Sequence, residues 1–247
     1  MINIITVVFN GIGYIEKTIQ SVINQTYDNF EYIIIDGGST DGTLDVIKKY
    51  ENKISHWISE KDNGIYNAMN KGLKYVNQES YVFFLNSGDY LINSNIIEEI
   101  AKTIILNHFP DAIYGGVQYR SKNNKTNKIH CKEIRNIRYL LIYNISHQSI
   151  FIKFNGTNFN ENYNIVADSD MIMKLYLSNQ ANFIYIPKII TSVLIGGYSA
   201  NFKEQSRERF LFIKQYLPMH LYLLYKIYYI IRYSPRMINY IISKTTI

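Results

Sequence analysis

The sequence predicts an α/β protein, a mostly parallel central sheet flanked by helices, followed by a C-terminal helical appendage. Three observations carry this. Ile2 to Phe9 is a continuous apolar, β-branched run of the kind buried on both faces of a parallel sheet. Strand-like runs then alternate with helix-like periods through the first 120 residues, a βαβαβαβ order. Finally, Ile65, Ala68, Met69, Gly72, Leu73 and Val76 fall at i, i+3, i+4, i+7, i+8 and i+11, one face of a helix. With 247 residues, 47% hydrophobic and 19% charged, the chain has material for a full core, which excludes a disordered protein. The reading is one α/β domain over residues 1–202, with halves at about 1–118 and 119–202, and a tail over 203–247.

The elements follow in order. Met1 to Asn10 has no basic segment before its apolar run and no small-residue cleavage site. It reads as a first strand rather than a secretory signal, and the protein is expected in the cytoplasm. Ile15, Ile19, Val22 and Ile23 mark the first helix. Tyr32 to Ile35 is the second strand, ending on Asp36-Gly37-Gly38-Ser39-Thr40-Asp41-Gly42, where Asp41 or Thr40 can cap a helix carrying Leu44 and Ile47. Ile54 to Ser59 alternates like a third strand, and Tyr81 to Leu85 is a fourth that stops on Asn86-Ser87-Gly88-Asp89. Ala112 to Val117 is a further strand, 121–128 a polar loop and 135–146 an amphipathic helix. SHQSIFIK then sets His147 and Gln148 directly before a strand, and Asp168 or Ser169 would cap a helix bearing Ile172, Leu175 and Tyr176.

Ligands of open parallel sheets bind outside the carboxyl ends of the strands. Asn10, Asp36, the Lys61-Asp62 pair and Asp89 all lie just past such an end, which gathers them into one candidate site. Taken singly, each also suits an ordinary turn or cap.

Charge is concentrated in the tail. Residues 203–247 hold eight Lys and Arg against Glu204 and Glu208, whereas residues 1–202 hold eighteen of each sign. A neutral body weighs against nucleic-acid binding, which wants a basic stripe over the folded core, and no nucleic-acid partner is expected. The tail is rich in Tyr, Leu and Ile, and its apolar run from Met219 to Ile231 is interrupted by His220 and Lys226, too short for a bilayer span. A basic helix with aromatic flanks can lie on a membrane surface, or it can pack on the α/β domain or another subunit. The single cysteine, Cys131, excludes an intramolecular disulfide and any multi-cysteine metal site.

TVVFN (6–10), IQSVINQTYDNFEYIIIDGGSTDGT (19–43), SEKDNGIYNAMNKGL (59–73), FLNSGD (84–89), SHQSIF (146–151) and ADSDMIMKL (167–175) together resemble the family 2 glycosyltransferases of the GT-A fold. The resemblance runs from residue 2 to about 200 and, with GGYS at 196–199, points to the branch serving bacterial capsule, exopolysaccharide or lipopolysaccharide assembly. It makes 1–118 a nucleotide-binding half and 119–202 an acceptor half. It implies a nucleotide-diphosphate donor, a divalent Mn or Mg cofactor, and a glycan or lipid-linked acceptor.

The same resemblance assigns residues. Asp89 stands where the family places a metal ligand, with Asn86 and Gly88 at its usual acidic positions. Asp36 falls where relatives bind the nucleobase or ribose, Val7 and Phe9 line the base pocket, and Asn10 and Ser39 lie beside it. Lys61, Asp62 and Asn70 match positions for nucleotide and sugar, and Asn86 is read as a further donor contact. Asp168 matches the general base, with Ala167 at the first position of the family's acidic pair, although Asp168 also suits a helix N-cap. His147 is either a contact to phosphate or metal or a satisfied strand-edge histidine. An inverting displacement needs only one base.

The expected function is therefore an inverting, UDP-sugar-dependent transferase of surface polysaccharide synthesis, peripheral on the inner face of the plasma membrane. The alternative is a non-catalytic nucleotide or carbohydrate binder of the same fold. A dinucleotide enzyme is set aside because NGIG at 10–13 is not G-x-G-x-x-G and no Walker motif is present.

Overall fold

A computed structural model describes residues 1–121, 123, 126–130, 132–134, 136, 137, 140, 141, 144–178, 181–196, 202–229 and 231. The chain divides into two compact units, Met1–Ala200 and Asn201–Ile247.

In the first unit the described strands form one sheet. Strand β1 (Ile2–Val8) is buried along its whole length and pairs in parallel with β2 (Phe30–Asp36) on one side and β4 (Tyr81–Phe84) on the other. Strand β3 (His56–Ser59) adds in parallel outside β2. Beyond β4 the sheet turns antiparallel through β8 (Ile150–Lys153) to β6 (Ala112–Arg120), which pairs in parallel with the long β9 (Phe183–Leu194). The short β5 (Tyr90–Leu91) closes the far edge on β9, and β7 (Thr126–His130) pairs with β6. The order is β3-β2-β1-β4-β8-β6-β9-β5, and parallel pairing carries most of the ladder.

Helices α1 (Ile15–Ile23), α2 (Thr43–Lys49), α3 (Ile65–Leu73), α4 (Ile96–Leu106) and α5 (Ala167–Leu177) cover this sheet. The seam of α3 is close: a Cβ at Gly72 would stand 2.6 Å from Ile5 Cγ2, so the small residue lets this helix approach the central strand. Between β4 and β8, Phe83 and Phe151 stack at 4.2 Å in the core.

Register explains why the site forms at one edge. Val8 lies opposite Asp36 and Asp36 opposite Ser59, so β1, β2 and β3 end at one level. Strand β1 stops at Val8 because Asn10 turns left-handed (φ 48°) and Gly37 N–H closes on the Val8 carbonyl at 2.8 Å.

Several sequence expectations need correction. The third strand begins at His56, because Ile54 is the exit from a 3₁₀ turn over Glu51–Lys53. The second helix is preceded by Gly42 in the left-handed region, and Asp41 acts from one residue earlier through Thr43 N–H. Helix α5 is capped by Val166, so Asp168 and Ser169 sit inside its first turn. Five of the twelve residues of the helix expected over 135–146, together with Cys131, residues 197–199 and the tail from 232, lie outside the described residues.

Candidate active site

The first part of the site is a cradle of strand-end loops. Asp36 is wholly buried, and its Oδ2 accepts from Gly38 N–H (3.1 Å), Ser39 N–H (2.9 Å) and the Ser59 hydroxyl (2.6 Å). Its Oδ1 accepts from the Ser39 hydroxyl at 2.5 Å. Ser39 Oγ in turn accepts from Asn10 N–H at 2.7 Å, and Asn10 Oδ1 accepts from Thr40 N–H at 2.9 Å. Asp36, Ser39 and Asn10 therefore knit the β1 and β2 loops together, with both carboxylate oxygens of Asp36 bonded within them. Phe9 projects at the rim, 66% exposed, while Val7 is buried beneath.

Asp62 faces the same cradle, since a Cβ at Gly37 would stand 2.8 Å from its Oδ2. Its Oδ1 is held by Lys71 Nζ at 2.5 Å, and Lys71 also reaches Glu60 (2.9 Å) and the Lys61 carbonyl (2.9 Å). Burial of Lys71 works against its charge, but the bonds to Asp62 and Glu60 outweigh it and hold the ammonium above its ordinary range. The Lys61 side chain is exposed. The Asn70 amide is engaged elsewhere, bonded to Phe159 through both its nitrogen (3.0 Å) and its oxygen (2.8 Å) and to Glu161 at 2.7 Å.

The second part gathers two carboxylates around one turn. The 3₁₀ turn His147–Ser149 places His147 Nδ1 2.9 Å from Asp168 Oδ2 and Gln148 Nε2 3.2 Å from Asp89 Oδ2. Adjacent residues thus hold carboxylates that lie far apart in the chain. His147 Nε2 meets Asn86 Nδ2 at 3.1 Å, so in this arrangement the imidazole accepts from Asn86 and donates from Nδ1 to Asp168. Asp168 Oδ1 accepts from Ser169 N–H at 2.7 Å. Gln148 is itself fixed: its Oε1 accepts from the Ser146 hydroxyl and its carbonyl from Thr191 Oγ at 2.6 Å.

Asp89 is 4% exposed, and its Oδ1 accepts from Leu194 N–H at 2.8 Å. Burial pushes its carboxyl up to about 6, against the bonds from Leu194 and Gln148 and the nearby Arg120 guanidinium. Tyr119 joins the cluster. Burial pushes its hydroxyl up, a bond to Ser146 opposes that, and the neighbouring Asp168 and Asp89 push it further. The turn before Asp89 also explains an absent acid. Gly88 has φ 99° and its N–H donates to Thr18 Oγ at 3.0 Å, a left-handed position where an aspartate would be strained.

Among the described residues no group of three His, Cys, Asp or Glu could hold a metal. Oxygen donors are nonetheless available in the turn that leads to Asp89: Asn86 Oδ1 and Ser87 Oγ are buried without a hydrogen-bond partner. Buried acceptors left unsatisfied are costly, so this turn suits an oxygen-seeking cation that draws its remaining ligands from substrate and water.

The sequence singled out His147, Asp168, Asp89 and Asn86, and the structure brings them into one network. It missed Gln148 and Tyr119 as members, and Lys71 as the partner of Asp62. Gln148 was visible in SHQS, beside His147; the other two carried no signal beyond residue type.

The model of a family described as glycosyl transferase family 2 matches residues 3–161. A PGL/p-HBAD biosynthesis glycosyltransferase of Mycobacterium bovis (strain BCG / Pasteur 1173P2) is 30% identical over 188 residues, covering 73% of this chain and 71% of the relative. The putative teichuronic acid biosynthesis glycosyltransferase TuaG of Bacillus subtilis (strain 168) is 41% identical over 93 residues, 36% of each chain. Among solved structures, S. aureus TarS 1-349 in complex with UDP-GlcNAc superposes with a TM-score of 0.68 at 22% identity, over 86% of this chain. This chain covers 66% of that one, slightly under two thirds of its length.

Proposed function

The chain belongs to glycosyl transferase family 2, is a glycosyltransferase and has the GT-A fold, and we propose that it moves a sugar, with inversion, from a UDP-sugar to a hydroxyl of a glycan or lipid-linked acceptor. The observation that carries this reading is the His147-Gln148 turn, which ties Asp168 and Asp89 into one cluster. Two carboxylates with different surroundings suit the two ends of a displacement, one at the acceptor and one at the leaving diphosphate.

Asp168 is the base in this proposal. The acceptor oxygen attacks the anomeric carbon as the bond to the diphosphate oxygen breaks, and the hydroxyl proton passes to Asp168. A single displacement of this kind inverts the carbon. His147 Nδ1–H fixes the carboxylate that receives the proton. Phe9 at the exposed rim offers a face for the nucleobase, while Asp36, Ser39 and Asn10 shape the loops beneath it. Lys61 and Asp62 stand beside that cradle as donor contacts, and Asn70 acts by anchoring the 159–161 segment.

Asp89, with Asn86 Oδ1 and Ser87 Oγ, would hold Mg²⁺ or Mn²⁺, which when bound would neutralise the departing diphosphate. The teichuronic acid relative and the UDP-GlcNAc complex of TarS support surface polysaccharide synthesis and a UDP-sugar donor. A lipid-linked acceptor would place the enzyme peripherally at the inner face of the plasma membrane; no helix among the described residues is long and apolar enough to cross one.

Thermal unfolding with UDP, GDP, CDP and dTDP, each with and without Mn²⁺ or Mg²⁺, tests this reading. UDP with metal at 100 times its dissociation constant is expected to stabilise by about 2.7 kcal/mol, a shift of a few degrees. Transfer of radiolabelled sugar from UDP-hexoses and UDP-N-acetylhexosamines, with the anomeric product read by NMR, then separates the transferase from the binder. Turnover with retention would overturn the single-base scheme.

The metal-dependent part of that shift should depend on pH. The folded carboxyl of Asp89, at about 6, lies above its ordinary 3.8. Between those values the folded state holds a proton that the unfolded state has released, so this group favours folding at acid pH and opposes it above 6. The opposition at neutral pH is on the order of 3 kcal/mol. A cation competes with the same proton. Its affinity is expected to be full at pH 7.5 and to fall about tenfold for each pH unit below 6. Asp89→Asn should abolish the metal-dependent shift while leaving the unliganded protein at least as stable at pH 7.5. A metal-dependent shift unchanged in Asp89→Asn would remove Asp89 from the cation site.

A further inference from the structure

The second unit carries a helix turned inside out. Helix α6 (Phe202–Tyr216) is followed, after Pro218, by helical residues 219–229. The second helix seats on the first through its tyrosines. Phe210 meets Tyr225 and Tyr229 edge to face at 6.4 and 5.1 Å, Arg209 Nε donates to Tyr225 OH at 2.7 Å, and Ser206 bonds Tyr229 OH at 3.2 Å. Both tyrosines are buried.

The opposite stripe is the apolar one. Met219, Leu223, Leu224, Ile227 and Ile231 recur at i, i+4, i+5, i+8 and i+12, one face of a helix, and each is between 51 and 69% exposed. Surface helices of soluble proteins put polar residues on this face, and contiguous apolar patches mark interaction sites.

We infer that this stripe is a docking surface for an anionic lipid membrane, the helix lying along the headgroup boundary with Met219, Leu223, Leu224, Ile227 and Ile231 turned into it. Charge selects this occupant. The segment 203–247 holds eight Lys and Arg against two Glu, and Arg207 and Lys214 on α6 are exposed. A second copy would bring one net +6 segment against another, whereas anionic headgroups neutralise it. Insertion along the surface is also the geometry open to it, since no described helix is long and apolar enough to span.

Co-sedimentation of the full chain with phosphatidylcholine vesicles, with and without about 30 mol % phosphatidylglycerol, tests this. Binding to the anionic vesicles is expected to exceed binding to neutral ones by about tenfold or more, and to weaken severalfold between about 0.1 and 0.5 M salt. A Leu223→Ser, Leu224→Ser, Ile227→Ser variant, whose changes are all on exposed positions and whose unfolding midpoint should be unchanged, is expected to lose this binding. Arg207→Glu with Lys214→Glu should reduce it and flatten the salt dependence. Equal binding to both vesicles, or serine variants that bind as well as the parent, would overturn the inference. So would failure to bind either vesicle together with a concentration-dependent dimer in light scattering that the serine changes dissolve; that result would give the stripe to a second copy. Sugar transfer is not read in these experiments, so their failure leaves the proposed reaction standing, and failure of that reaction leaves the lipid surface standing.

Discussion

An Asp168→Asn variant is expected to fold with the parent's midpoint and to turn over about 10²–10⁴-fold more slowly, with nucleotide affinity changed by no more than about twofold. The amide keeps the shape of the carboxylate and can still accept from Ser169 N–H, but it cannot take a proton from the acceptor. Loss in kcat with KM for the donor unchanged is the signature of a group that acts only as the displacement proceeds. His147→Gln discriminates between two roles for its neighbour. If imidazole only orients Asp168, the glutamine amide partly replaces the Nδ1–H bond and the loss is about tenfold. If His147→Gln instead loses as much as Asp168→Asn, and the loss disappears in the double variant, the pair acts as one unit and the proton acceptor has to be reassigned to the imidazole. Full activity in Asp168→Asn would exclude the carboxylate as base.

The largest effect on stability is expected at Asp36. Ala at this position leaves Gly38 N–H, Ser39 N–H and the hydroxyls of Ser39 and Ser59 without the acceptor on which they converge. Buried donors left unpaired cost about 1–3 kcal/mol each, partly relieved by water, so Asp36→Ala should cost about 3 kcal/mol or more in urea unfolding. Ser59→Ala, which removes one donor and leaves the carboxylate its others, should cost about 1 kcal/mol. Nucleotide affinity should fall in Asp36→Ala because the loops carrying Asn10 and Ser39 lose their common anchor. If Asp36→Ala weakens nucleotide binding strongly with unfolding unchanged within about 0.5 kcal/mol, the carboxylate acts on the ligand directly and not through the loops.

These two aspartates show where sequence pattern and structure part. Both were legible as strand-end or helix-start acids, because the alternation of apolar runs fixes where strands end, and polar residues just past those ends stand out. What each carboxylate faces was not legible. Asp36 turns inward to Ser39 and Ser59, one three residues away and one across the β2–β3 register, while Asp168 turns toward a histidine 21 residues earlier in another element. Asn70 carries the same lesson: its place on α3 matched a ligand-binding position, yet its amide is fully taken up by the Phe159 backbone and Glu161.

The sequence by itself determined the α/β class, the parallel strands, the edge at which polar residues gather and the +6 tail, because apolar periodicity, strand-end residues and net charge are local properties that survive without knowledge of packing. Only the tertiary structure decided that His147 and Gln148 share Asp168 and Asp89 between them, that Lys71 holds Asp62, and which stripe of the tail helix faces out. Those outcomes depend on strand register and helix rotation, which bring together side chains up to 59 residues apart. A one-residue change in either would separate them without altering the pattern along the chain.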